Sequence, residues 1–145
     1  MASIFSVAKY IHSKLGDISA MKLQKLAYYS QAWTLVWDEK ELFSEDFQAW
    51  ANGPVCPELY SVHRGEFLIT NTMFLGNIDD LTSDEKENID KVLEHYGDKT
   101  AQWLSDLTHM EDPWINARQE AHVQDGERCD KIINKGEMHL YYSGL

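Results

Sequence analysis

From Ser3 to Leu15 the apolar residues Ile4, Val7, Ala8, Ile11 and Leu15 recur at spacings of three and four, the one-sided stripe of a short amphipathic helix that Gly16 can end. Asp17 or Ser19 can cap a second helix running to about Trp37. Its apolar arc is wide, because Tyr28, Tyr29, Leu35 and Val36 flank the stripe of Leu23, Leu26, Ala27, Trp33 and Trp37. A helix apolar on so much of its circumference belongs at the centre of a fold. After the polar turn Asp38-Glu39-Lys40-Glu41, the alternation of Phe47, Ala49 and Ala51 with Gln48, Trp50 and Asn52 predicts a small extended element around residues 46–55. Asn52-Gly53-Pro54-Val55-Cys56-Pro57 follows, and Pro57 can open a helix over Glu58 to Arg64. Residues 66–81 read as loop, with some extended structure near Phe67 to Ile69.

Thr82-Ser83-Asp84-Glu85 is a capping box, and the helix behind it buries Ile89, Val92, Leu93 and Tyr96 before Gly97 stops it. A further helix spans about Thr100 to Leu107. Asp112-Pro113 reads as a cap followed by proline at the first helical position, opening a helix through Arg118 that Asp125-Gly126 breaks. The segment from Asp130 to Tyr142 is expected to be helical, with Ile132, Ile133 and Leu140 inward. The fold class is therefore mainly α, a compact single-domain bundle of six or seven helices with one small β element, over residues 1–145.

Composition supports a folded chain: 145 residues, 43% hydrophobic and 12% aromatic, are enough for a core without disulfides. Cys56 and Cys129 are far apart in the chain, so free thiols are expected. The 24 acids against 13 basic residues give a net charge of -11, which disfavours phosphate-backbone binding, so neither nucleic acid nor an anionic membrane is an expected partner. That charge is uneven. Up to Trp37, Lys9, Lys14, Lys22 and Lys25 oppose Asp17 alone, so the negative charge lies after it. No transmembrane or signal segment is apparent, which places the chain in the cytoplasm.

Catalytic chemistry is poorly represented. His12, His63, His95, His109, His122 and His139 show no helical zinc spacing, so neither a metal nor another cofactor is expected. Adjacent acids such as Asp79-Asp80 arise readily in so acidic a chain. No glycine-rich phosphate loop occurs. Cys56 and His109 are the only residues that suggest a reactive group, and a constrained turn and a helix end respectively account for them.

The denser signal is three clusters: Lys22, Leu23, Gln24, Lys25, Leu26, Tyr28, Tyr29 and Gln31; then Trp50, Gly53, Pro54, Val55, Pro57 and Tyr60; then Thr108, His109, Pro113 and Trp114. In this order they resemble the Panacea-domain family, SocA-like and also labelled phage-associated GepA-type, from about Phe5 to Arg118; residues 119–145 are unassigned. The resemblance implies a non-enzymatic antitoxin of a bacterial or phage toxin–antitoxin system, with a role in phage defence, that neutralises a cognate toxin by direct protein contact. The toxin is expected from an adjacent gene. Two alternatives stay open: an adaptor that hands the toxin to a protease, or an enzyme using Cys56 or His109 to modify it.

An acidic domain suits a basic partner, because complementary fields steer encounter. Trp33, Trp37, Trp50, Trp103 and Trp114 cannot all be central in so small a core. The expected partner-binding residues are therefore Trp37 and Trp50 with the acidic stretch Asp38, Glu39, Glu41, Glu45 and Asp46, extended by the acids between Asp84 and Glu94.

Overall fold

A computed structural model describes residues 1–70 and 75–145. Residues 71–74, part of the stretch expected as loop, lie outside the described residues. Ser3 caps α1 (Ile4–Leu15), accepting from the Ser6 amide, and Gly16 ends it at φ +74°. Of the two candidate caps for α2 (Ala20–Asp38), Ser19 is the one used. The hairpin pairs β1 (Gln48–Trp50) with β2 (Gly53–Val55) in the register Gln48 to Val55, Ala49 to Pro54 and Trp50 to Gly53. Pro57 opens α3 (Pro57–His63), and a single 3₁₀ turn (Ile78–Asp80) precedes α4 (Ser83–Tyr96). Then come α5 (Ala101–Thr108), α6 (Asp112–Glu120) and α7 (Lys135–Ser143).

Helix α2 is the axis of the molecule, packing against α1, α4, α5, α7 and β2. Its width of apolar arc is matched by neighbours on nearly every side, and its residues from Leu23 to Ala32 are all buried. The Thr82–Glu85 capping box is formed in both directions, satisfying two amides that would otherwise lack acceptors.

Three expectations need correction. The α6 cap is Glu111, not Asp112. The Glu111 carboxylate is drawn inward by Tyr29 and Tyr142, which leaves Asp112 in the first turn, where a negative charge complements the helix dipole. The last helix starts at Lys135 instead of Asp130, capped by Asn134. Residues 131–133 run extended beside β1: the Lys131 carbonyl accepts from the Ala49 amide at 2.9 Å, and the Ile133 amide donates to the Phe47 carbonyl at 2.8 Å. That alternation buries Ile133 and leaves Ile132 half exposed. The later start also sets the phase of α7, so that Met138 and Tyr142 face the core and Leu140 faces solvent.

Candidate functional site

The three sequence clusters meet at the hairpin. Its carbonyl oxygens are taken up one after another by side chains from other elements. Arg118 Nη1 donates to the Ala49 carbonyl at 2.8 Å, and Trp114 Nε1 to the Trp50 carbonyl at 2.9 Å. His109 Nε2 lies 2.9 Å from the Ala51 oxygen, and the Ser105 hydroxyl donates to Asn52. Lys25 Nζ donates to the Pro54 carbonyl at 3.2 Å, and Gln24 Nε2 to that of Cys56, also at 3.2 Å. A two-stranded ribbon alone is marginal in water, and these bonds hold it in one position against α2, α5 and α6.

The helix motif explains itself in the same terms. Gln24 and Gln31, seven residues apart, lie on one face of α2. Gln24 Oε1 accepts from the Cys56 amide at 2.9 Å. Gln31 accepts from the Leu42 amide and donates to the Phe43 carbonyl, both at 2.7 Å. Each amide group thus acts like a piece of neighbouring strand for a buried loop. Tyr29 and Tyr142 both donate to Glu111 Oε1 at 2.7 Å, and the Tyr142 hydroxyl reaches that of Tyr28 at 3.1 Å. Burial raises the Glu111 pKa despite these two donors. Gly53 sits at φ +119°, and a Cβ there would be 2.6 Å from Lys25 Cε and 2.9 Å from Thr108 Oγ1. Glycine is therefore required twice, by backbone angle and by space.

Lys25 is the one group of this cluster whose basicity moves into the neutral range. It is fully buried, no carboxylate among the described residues pairs with it, and desolvation lowers its pKa to about 7. Burial likewise lowers the His63 pKa, whose Nε2 lies 3.0 Å from Gln24 Nε2. Cys56 moves the other way, its thiol pushed up to about 12, which works against a nucleophilic thiolate. His109 has a carbonyl oxygen beside each ring nitrogen and packs on Trp114 at 4.0 Å between ring centroids. Among the described residues no group of three or more His, Cys, Asp or Glu could hold a metal ion.

Residues 23–115, well over half of the chain, match the family described as Antitoxin SocA-like, Panacea domain. The chain belongs to this family. Comparison with curated proteins finds no match, and comparison with solved structures finds none either. The matched span of this Panacea domain is narrower than the expected 5–118. It contains all the motif residues except Lys22, and ends before Arg118 and Tyr142, which nevertheless complete the hairpin clamp and the tyrosine–glutamate cluster.

The motif residues of the Panacea domain are thus mostly interior. The predicted contact residues are dispersed. Trp37 is 43% exposed, stacks on Trp33 at 5.4 Å and has Lys91 Nζ 5.4 Å from its ring centroid. Asp38 accepts from Asn88 on α4 at 2.8 Å, and Glu39 holds the α2 C-cap at φ +53°. Farther round, Glu45 accepts from the Ile4 amide at 3.1 Å and so caps α1, while Glu41 and Asp46 hold Lys135 at 2.9 and 3.0 Å. Trp50 is half-buried against Tyr60, with Nε1 donating to Gln48. Trp103, which sequence reasoning did not select, is 44% exposed, whereas Trp114 is buried. Glu111, Ser105 and Arg118 were also missed as parts of the site. Their partners are distant in the chain, and nothing in the local pattern marks them.

Proposed function

We propose that this chain is an antitoxin that neutralises a cognate toxin by direct contact in the cytoplasm, and that the contact is centred on Trp37. Family membership supports the antitoxin role. The observation that carries the location is a groove of about 630 Å³ between the end of α2 and α4, walled by Trp33, Trp37, Val92 and Tyr96 and edged by Lys91 and Glu94. Glu94 lies on its wall, and Glu39 at the end of α2 and Asp84 and Glu87 on α4 are further exposed carboxylates, whereas Asp90 faces α1, accepting from Tyr10 at 2.8 Å. An aromatic groove with Glu94 on its edge and Lys91 beside Trp37, on a chain of net charge -11, suits a basic partner: the rings supply affinity and the net field orientation. Glu41, Glu45 and Asp46 have intramolecular partners, so their contribution is to the field more than to contact.

The test is co-expression with the product of an adjacent gene, followed by pull-down. Trp37→Ala should abolish rescue and capture while shifting the melting temperature little, since the ring is nearly half in solvent. Trp103→Ala, on another exposed face, should leave both intact. Capture unaffected by Trp37→Ala would remove the groove from the interface. Rescue that vanishes in a protease-deficient host while capture persists would replace occlusion by delivery to a protease.

A further inference from the structure

The groove at Trp37 already holds a cation, and that cation belongs to the chain itself. Lys91 Nζ lies 5.4 Å from the Trp37 ring centroid, close enough for the electron-rich indole face to attract it. Its hold is light. Lys91 also pairs with Glu87, one helical turn back on α4, at 3.6 Å, and both side chains are more than half in solvent. Exposed contacts of this kind contribute little, so the lysine can leave the ring for Glu87 at small cost.

Around this lysine the rings are fixed and one carboxylate is open. Trp33 stacks on Trp37 with 29° between ring planes, and its Nε1 donates to the Tyr96 hydroxyl at 3.1 Å. Tyr96 in turn stacks on the buried Tyr29 at 4.4 Å between centroids. The aromatic wall is thus tied to the core and needs no reordering to receive a ligand. Glu94, on the same wall, has no cationic partner among the described residues.

We propose that the groove is a receptor for an arginine side chain presented by the partner protein, and that Lys91 is a stand-in which this arginine displaces onto Glu87; this rests on the reading of the Trp37 groove as the toxin-binding surface. Two properties select arginine over lysine. A planar guanidinium stacks on an indole face while its N–H fork stays free to donate to a carboxylate, here Glu94. It is also more weakly hydrated than an ammonium, so it gives up less water on entering an aromatic site. The net charge of -11 draws such a cation in, and the departure of Lys91 removes the positive charge that would oppose it.

The experiment titrates the isotope-labelled full chain, without toxin, with an end-blocked Gly-Ala-Arg-Ala-Gly peptide and with its citrulline and lysine counterparts at matched ionic strength. The indole N–H resonances of Trp33 and Trp37 should shift saturably with the arginine peptide. Half-saturation is expected at about 10 mM, the affinity of one cation–π contact and one exposed ion pair. The citrulline peptide, of the same shape without the charge, should bind about tenfold more weakly or less. Trp103 carries Lys99 Nζ at 5.0 Å but lies outside the groove, and its resonance should stay still. Lys91→Gln removes the competing cation and should tighten arginine binding about threefold, and Glu94→Gln should weaken it by about the same factor. Both positions are exposed on α4, where glutamine suits a helix. Equal binding of the arginine peptide and either counterpart, shifts at Trp103 matching those at Trp37, or no effect of Lys91→Gln overturns the proposal. Toxin capture that needs Trp37 in a chain that ignores the arginine peptide leaves the interface standing and overturns the arginine receptor. Arginine binding beside capture that survives Trp37→Ala keeps the receptor and overturns its use for the toxin.

Discussion

Replacing Lys25 by methionine removes a buried amine while keeping most of its hydrocarbon length, and the structure sets both the sign and the size of the outcome. In the unfolded chain the amine titrates at its ordinary 10.5, and in the folded chain at about 7, because burial disfavours the charged form. At about 1.4 kcal/mol for each tenfold change in proton affinity, that difference makes the lysine destabilising by roughly 4 to 5 kcal/mol below neutrality. The sign follows from proton counting. Between the two pKa values the unfolded chain binds more protons, so stability rises with pH through this window and the penalty is gone above the unfolded value. Methionine has no such dependence, but it leaves the Pro54 carbonyl without its donor, a cost of about 1 to 3 kcal/mol that does not change with pH. The variant should therefore be more stable than the parent near neutrality by about 1 to 4 kcal/mol and lose that advantage as pH rises. Urea denaturation followed by tryptophan fluorescence, on both proteins from about pH 6.5 to 9.5, reads this directly. The difference in unfolding free energy should change by about 1.4 kcal/mol per pH unit above neutrality and flatten below it. The buried tyrosines and Glu111 titrate in both proteins and cancel. A difference independent of pH would show that the amine keeps its ordinary basicity in the fold, and would refute the assignment of Lys25 as a buried amine with no carboxylate partner.

Two other outcomes test neighbouring parts of the same structure. Gly53→Ala should destabilise by about 3 kcal/mol and lower the melting temperature by roughly 10 °C, combining a strained φ with displacement of Lys25 and Thr108; a change of a degree or two in calorimetry would mean that the hairpin tip yields easily. Glu111→Gln keeps an acceptor for Tyr29 and Tyr142 and removes the charge. Because the folded pKa of Glu111 is raised, the parent's stability relative to the variant is fully present below the ordinary carboxylate pKa of 4.5 and declines as pH rises through the folded value. Parallel acid-range denaturation curves for the two would contradict that.

How far the sequence carried the structure depends on the range of the interaction concerned. Caps and stops are local chemistry, and Gly16, Ser19, the Thr82–Glu85 box and Gly97 all act where the pattern placed them. The hairpin was legible from alternation followed by Gly53-Pro54. The end of the chain was less so. Residues 130–134 satisfy their backbone by running beside β1, a non-local pairing that local apolar spacing cannot distinguish from a helix, and this moved the start of α7 and its inward face. At the site, the motif positions could be named while their use could not. Gln24 and Gln31 look like polar surface residues of a helix until the loops that they hold are in place, and Glu111 looks like one acid among 24 until two tyrosines reach it.

The meeting of Tyr28 with Tyr142 joins positions 114 residues apart. During synthesis, α2 emerges long before the helix that covers it. Until Tyr142 arrives, one face of the aromatic cluster and one acceptor bond of Glu111 remain open to water or to other proteins. The incomplete chain therefore presents an apolar surface that the finished one hides, and its exposure to aggregation or proteolysis lasts until α7 docks. The supply of folded Panacea domain would then depend on the rate at which α7 docks as well as on the rate of translation.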